Sequence, residues 1–160
     1  MSVITTYVRL RPDELAELRG LLVESPAEAL EYADDLRMDD RGMDSGKAWD
    51  GLRHLLAKLA PPVDVISGGE PLTAGAWSAD APRLLTAEQV TAAAHFLSGT
   101  PFTSLARHYD PAELTLANVY PEAIWDEDWA LEYLEDSYGN LVALFQAAAA
   151  GNEPIILWKS

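Results

Sequence analysis

Three histidines, His54, His95 and His108, are the side chains of this sequence whose ordinary charge change lies near neutral pH. No two of them stand four residues apart and no His-Glu-x-x-His occurs, so a zinc centre would need ligands gathered from distant segments. Helical spacing sets His54 beside Asp50 and Lys58, where an i, i+4 contact on a charged face accounts for it. There is no cysteine, which removes thiolate nucleophiles, disulfides and Cys-based zinc sites together. No Gly-x-Ser-x-Gly elbow is present. Gly42-Met43-Asp44-Ser45-Gly46-Lys47-Ala48 looks like a phosphate loop. Its glycines are one residue too close, however, and Ala48 stands where a hydroxyl must reach magnesium. The acids Asp34, Asp35, Asp39, Asp40 and Asp44 suggest calcium, yet counting back from Gly42 puts Arg37 where the first acidic ligand belongs. No metal or cofactor is expected.

Two sets of residues remain. Lys47, Asp50, His54 and Glu70 could do acid–base work in a cleft between a helix over 47–54 and a loop over 67–81. Among the five tryptophans, Trp49 and Trp129 begin helical stripes and Trp158 ends a strand, so these three read as core or core rim. Trp77 and Trp125 have no such periodic place. With Tyr120 they are candidates for a cleft wall or a partner surface.

The other set is electrostatic. Formal net charge is −15, from 11 Lys and Arg against 26 Asp and Glu. Ten of those acids fall between residues 108 and 158, a stretch without Lys or Arg: Asp110, Glu113, Glu122, Asp126, Glu127, Asp128, Glu132, Glu135, Asp136 and Glu153. The other 16 acids stand against all 11 bases, a balance of only −5. Asp128, Glu132, Glu135 and Asp136 share one helix face by spacing. Such a face is either a solvated surface or a docking surface for a basic protein. A chain this acidic repels phosphate, so neither nucleic acid nor anionic membrane is an expected partner.

The elements that must position these residues follow from pattern. At 160 residues the chain is one domain's length, able to bury roughly 70% of its unfolded surface without a metal or disulfide. Residues 3–10 alternate and are rich in β-branched types, predicting a half-buried strand. Pro12 with Asp13 and Glu14 starts a helix carrying Leu15, Leu18 and Leu22, and Ser25-Pro26 caps a second one running to Leu36. Residues 39–46 read as a polar loop. Trp49, Leu52, Leu55, Leu56 and Leu59 give a third helix, ended by Pro61-Pro62. A short strand is expected over 63–66, then a Gly/Pro-punctuated loop of about fifteen residues. Thr86-Ala87-Glu88-Gln89 is a capping box opening a helix through Leu97. Short helical turns fill 102–126, a long helix spans 128–150, and residues 154–158 close the chain as a strand. Strands at both ends with helices between predict an α+β domain, its first and last strands in one small sheet.

Several segments also carry a family resemblance. They are Asp44-Ser45-Gly46-Lys47-Ala48-Trp49-Asp50-Gly51-Leu52, the Gly68-Gly69-Glu70 turn, and Arg83-Leu84-Leu85-Thr86-Ala87-Glu88-Gln89-Val90. Val119-Tyr120-Pro121-Glu122 with Trp125 and the apolar run 141–151 follow in order. Over nearly its whole length the chain resembles the YfbM-like family of small bacterial proteins, a family without an assigned activity. The resemblance implies a compact α+β fold. It also implies a histidine where this chain has Arg53; His54 comes one place later, turned about 100° around the helix.

The expected function is therefore a non-enzymatic protein-binding module docking a basic partner, an immunity-type role against a basic effector being one form of it. The alternative is an enzyme of unrecognised class using the 47–54 helix and the 67–81 loop. The chain opens without a basic n-region, and the apolar run 141–150 is about half a membrane span, so a soluble cytoplasmic protein is expected.

Overall fold

The computed structural model describes residues 2–75 and 77–160. Five strands, numbered along the chain as β1 (Thr5–Arg9), β2 (Gly42–Asp44), β3 (Glu70–Pro71), β4 (Arg83–Leu85) and β5 (Ile155–Lys159), form one antiparallel sheet in the order β2-β1-β5-β4-β3. At its centre β1 (Thr5–Arg9) and β5 (Ile155–Lys159) pair along their full length, from Thr5 opposite Lys159 to Arg9 opposite Ile155. The two ends of the chain thus share one sheet, as an unpaired edge on either would require.

These strands are not half-buried but buried on both faces. Tyr7, Ile155 and Leu157 point into a core made with α3 (Trp49–Ala57), α4 (Ala87–Ser98) and α7 (Ala130–Ala150). Val8, Ile156 and Trp158 point the other way, onto α1 (Pro12–Glu24) and α2 (Pro26–Leu36). Helices therefore cover both sides of the sheet, and the near-continuous apolar run of β5 follows from that double burial.

Helix starts match their capping residues. Ser25 Oγ accepts the Glu28 N–H at the head of α2, and Thr86 and Gln89 cap each other reciprocally at α4. Two short helices, α5 (Phe102–Ala106) and α6 (Pro111–Leu116), occupy the segment expected to hold helical turns. Helix α7 begins at Ala130, leaving Asp128 ahead of it.

Three strands differ from the pattern. β2 (Gly42–Asp44) lies in the expected polar loop, β3 (Glu70–Pro71) in the expected 67–81 loop, and β4 (Arg83–Leu85) just before α4. The segment 63–66 is turn rather than strand. It serves the core instead: Val65 and Ile66 are buried, and the Val65 carbonyl accepts the Tyr7 hydroxyl at 2.8 Å. Among the described residues no helix is long and apolar enough to cross a membrane.

Candidate functional site

The segments 47–54 and 119–125, far apart in sequence, meet at the start of α3. Asp50 is buried there with both oxygens engaged. Oδ1 accepts Arg53 Nε at 2.5 Å, and Oδ2 accepts the Tyr120 backbone N–H at 2.9 Å. Trp49 stacks on Tyr120 with ring centroids 5.8 Å apart. The Trp49 indole N–H donates to the Val3 carbonyl, and the Val3 N–H donates to the Tyr120 hydroxyl, both at 2.9 Å. At the next residue, a Cβ on Gly51 would lie 2.7 Å from the Trp125 ring and 2.9 Å from Leu134 Cδ2. These residues clamp the lead-in of β1 to the Tyr120 loop. That is work for geometry, not for proton transfer.

The four residues of the proposed acid–base cleft are held separately. Lys47 is exposed, and its backbone N–H donates to the Tyr133 hydroxyl at 2.7 Å. His54 faces Glu113 at 3.5 Å, and Lys58 reaches the same carboxylate at 2.5 Å. That Lys58 hydrogen bond, more than any other contact, lowers the Glu113 pKa. Glu70 is exposed on β3, at the sheet edge. Among the described residues no hydrogen bond or ion pair joins any two of Lys47, Asp50, His54 and Glu70, and no three His, Asp or Glu side chains converge as a metal would need. A cavity of about 340 Å³ does lie against α3, but on the side of Arg53, Leu56, Pro61 and Asp64.

Trp158 is core and Trp49 is half-buried at its rim, as their spacing predicts, whereas the other three tryptophans depart from the pattern. Trp77 is 8% exposed and packs edge-on against Trp158 at 4.9 Å, its buried indole nitrogen without a hydrogen-bond partner among the described residues. Trp125 is 1% exposed; its N–H donates to the Val119 carbonyl at 3.0 Å. Both are core residues rather than cleft walls, because tertiary packing covers the loops that carry them. Trp129, whose place at the start of a helical stripe predicts core or core rim, is instead 50% exposed. It sits ahead of α7, edge-on to Tyr133 at 6.0 Å. The sequence does carry a signal for it, the acidic run Asp126-Glu127-Asp128 immediately before.

Around Trp129 the acids behave as spacing predicts. Asp128, Glu132, Glu135 and Asp136 are all exposed, as are Glu122, Asp126 and Glu127. Two of the ten acids in this third are neutralised by bases from elsewhere. Glu113 pairs with Lys58, while Glu153, 5% exposed, takes Arg9 and Arg41, each at 2.7 Å. Among the described residues the remaining eight have no Lys or Arg within ion-pair distance. The outer side of α7 and the segment before it therefore form an acidic surface with one large aromatic ring in it.

A separate cluster escaped the sequence reading. Arg41 grips Glu14 with both terminal nitrogens at 3.2 and 2.9 Å and also reaches Glu153. It is aimed by the widened turn Arg37–Arg41, in which Asp40 takes φ +61°. The network ties α1, that turn, β1 and the approach to β5, and its role is structural.

Comparison with known proteins bears on the fold. The crystal structure of a protein of unknown function, YfbM from Escherichia coli, is similar over 96% of this chain and 98% of that one, with a TM-score of 0.64 at 14% identity. That likeness concerns the arrangement of helices and sheet. No curated protein matches the sequence. The model of the family described as "Domain of unknown function (DUF1877)" matches residues 1–158, and the chain belongs to that family.

Proposed function

We propose that this protein is a non-enzymatic binding module that docks a basic protein partner on the acidic surface around Trp129. What carries the reading is the exposure of Trp129, 50% accessible among Asp126, Glu127, Asp128 and Glu132. Exposed tryptophan gives a large rigid contact at low entropic cost, and such residues dominate binding energy where they occur in interfaces. The surrounding carboxylates supply long-range attraction for Lys and Arg and raise the encounter rate. Neutralising a basic effector, the immunity-type role, is one use of such a surface.

The test separates the two contributions. A partner retained from native extract at low salt is identified and its association measured. Charge reversal at Glu132→Lys with Asp136→Lys should slow association more than it speeds dissociation. That difference should shrink as salt rises and the Debye length falls from about 30 Å at 0.01 M to about 8 Å at 0.15 M. Trp129→Ala should act on dissociation, at about 2 kcal/mol or more if the ring anchors the contact. A partner bound by both variants at wild-type rates, or no stoichiometric partner at any salt, defeats the reading.

A further inference from the structure

The sheet face covered by α1 and α2 is not covered completely. Between α2 and the outer half of that face lies a groove of about 440 Å³, within the roughly 300–1,000 Å³ typical of small-molecule sites. Its floor includes Ile4, Leu30 and Trp158, the last only 4% exposed. Its rim carries Glu31, Asp34 and Asp44 with a single base, Arg37.

The charges on that rim do not balance. Arg37 Nε donates to Asp34 Oδ1 at 2.8 Å, and its Nη1 lies 3.9 Å from Asp44 Oδ2. One guanidinium therefore serves two carboxylates. Among the described residues Glu31 has no base within ion-pair distance. Three acids against one base leave two negative charges around an apolar floor. These carboxylates stand at exposed positions, so their attraction for a cation acts at short range, over the apolar floor. An anion entering the groove would meet uncompensated carboxylates. A neutral apolar molecule would leave that attraction unused.

We propose that the groove beneath α2 binds a small organic amine, with an ammonium head toward Glu31 and Asp34 and an apolar body against Leu30 and Trp158. The groove lies on the α1–α2 side of the sheet, and α7 packs on the opposite side. The amine site and the proposed protein-docking surface therefore stand or fall separately.

Phenethylamine, an ammonium at neutral pH, is the probe. 3-Phenylpropionate and 2-phenylethanol share its aromatic body but carry negative and zero charge. Titration calorimetry and saturation-transfer NMR should give saturable binding for the amine, with both analogues weaker by about tenfold or more, as expected for losing a charge-assisted contact. Glu31→Gln, at an exposed position, should weaken the amine about tenfold on the same grounds. Ala27→Trp places a bulky ring on the rim from an exposed helix position and should abolish binding without lowering the melting temperature. Absence of amine binding at millimolar concentration overturns the proposal. So does equal binding of the three probes, or binding undiminished in both variants. Should Ala27→Trp fail to fold, Glu31→Gln decides alone.

Discussion

Asp50 and Gly51 illustrate how one short segment can be decided by residues seventy positions away. The Asp50 carboxylate receives the Tyr120 N–H and Arg53, so Asp50→Ala leaves a part-buried backbone donor without an acceptor. The expected cost is about 1–3 kcal/mol, read as a lower urea midpoint, with Asp50→Asn milder because it keeps one oxygen. Gly51→Ala sets two effects against each other. Alanine favours an α-helix over glycine by about 1 kcal/mol. The added methyl, however, meets Trp125 at 2.7 Å and Leu134 at 2.9 Å, both buried side chains that would have to shift. Overpacking of that kind costs about 1–3 kcal/mol, so the variant should be destabilised despite its better helix propensity. An unchanged midpoint would mean that the Trp125 ring yields. None of this was legible in sequence, where Trp125 had no periodic neighbours and looked free for binding. Trp129 was misread for the converse reason. It precedes a stripe that begins one residue later, at Ala130, so periodicity counted it as buried when the helix had not yet started.

The long elements were legible because period and caps agreed: Ser25 before Pro26, the Thr86–Gln89 box, the β-branched alternation of β1. The short strands were not. β2, β3 and β4 have two or three residues each, too few for alternation to register; β2 forms on the free edge of β1, β4 on that of β5, and β3 in turn on β4. Gly42 shows the constraint from the other side, since a Cβ there would collide with the Tyr7 carbonyl across the β1–β2 pair. Charge was harder still. In sequence Glu14 is a helix-start residue and Glu153 one of ten acids in a stretch without bases, yet each is 5% exposed and both close on Arg41. Arg41→Met should therefore be strongly destabilising. It leaves Glu153 with Arg9 alone and Glu14 with the half-exposed Arg11 at 3.5 Å, and breaking a buried ion pair from one side costs about 3–5 kcal/mol. Adding Glu14→Gln to Arg41→Met should recover part of that loss in thermal denaturation, because one of the two stranded charges is gone. A double variant as unstable as the sum of its parts would show that Arg41 acts by packing.

At the scale of the whole molecule, the fold separates its charges from its buried phenols, and that fixes how it should respond to alkali. Among the described residues the eight unpaired acids of the 108–158 stretch are exposed to solvent, whereas Tyr7 and Tyr138 are buried in the core. The Tyr138 hydroxyl donates to the Thr100 carbonyl at 2.7 Å, and burial pushes its pKa up to about 12. Tyr7 is pushed further by burial, helped by the Asp64 charge, and Tyr109 is raised by burial with a contribution from Asp126. In the unfolded chain phenols lose their protons near pH 10, while in the folded chain Tyr138 holds its proton until about pH 12. Between those values the folded state binds more protons than the unfolded state, so stability falls as pH rises. The stabilisation from the protonated phenols is complete below pH 10 and is lost progressively above it. Tyr138→Phe should lower stability at pH 7 by about 1 kcal/mol, because the Thr100 carbonyl loses its donor, and should flatten the decline above pH 10. Urea denaturation at a series of pH values, with ultraviolet titration of the phenolates, measures both effects. The same slope in wild type and variant would mean that the Tyr138 phenol does not contribute to alkaline unfolding.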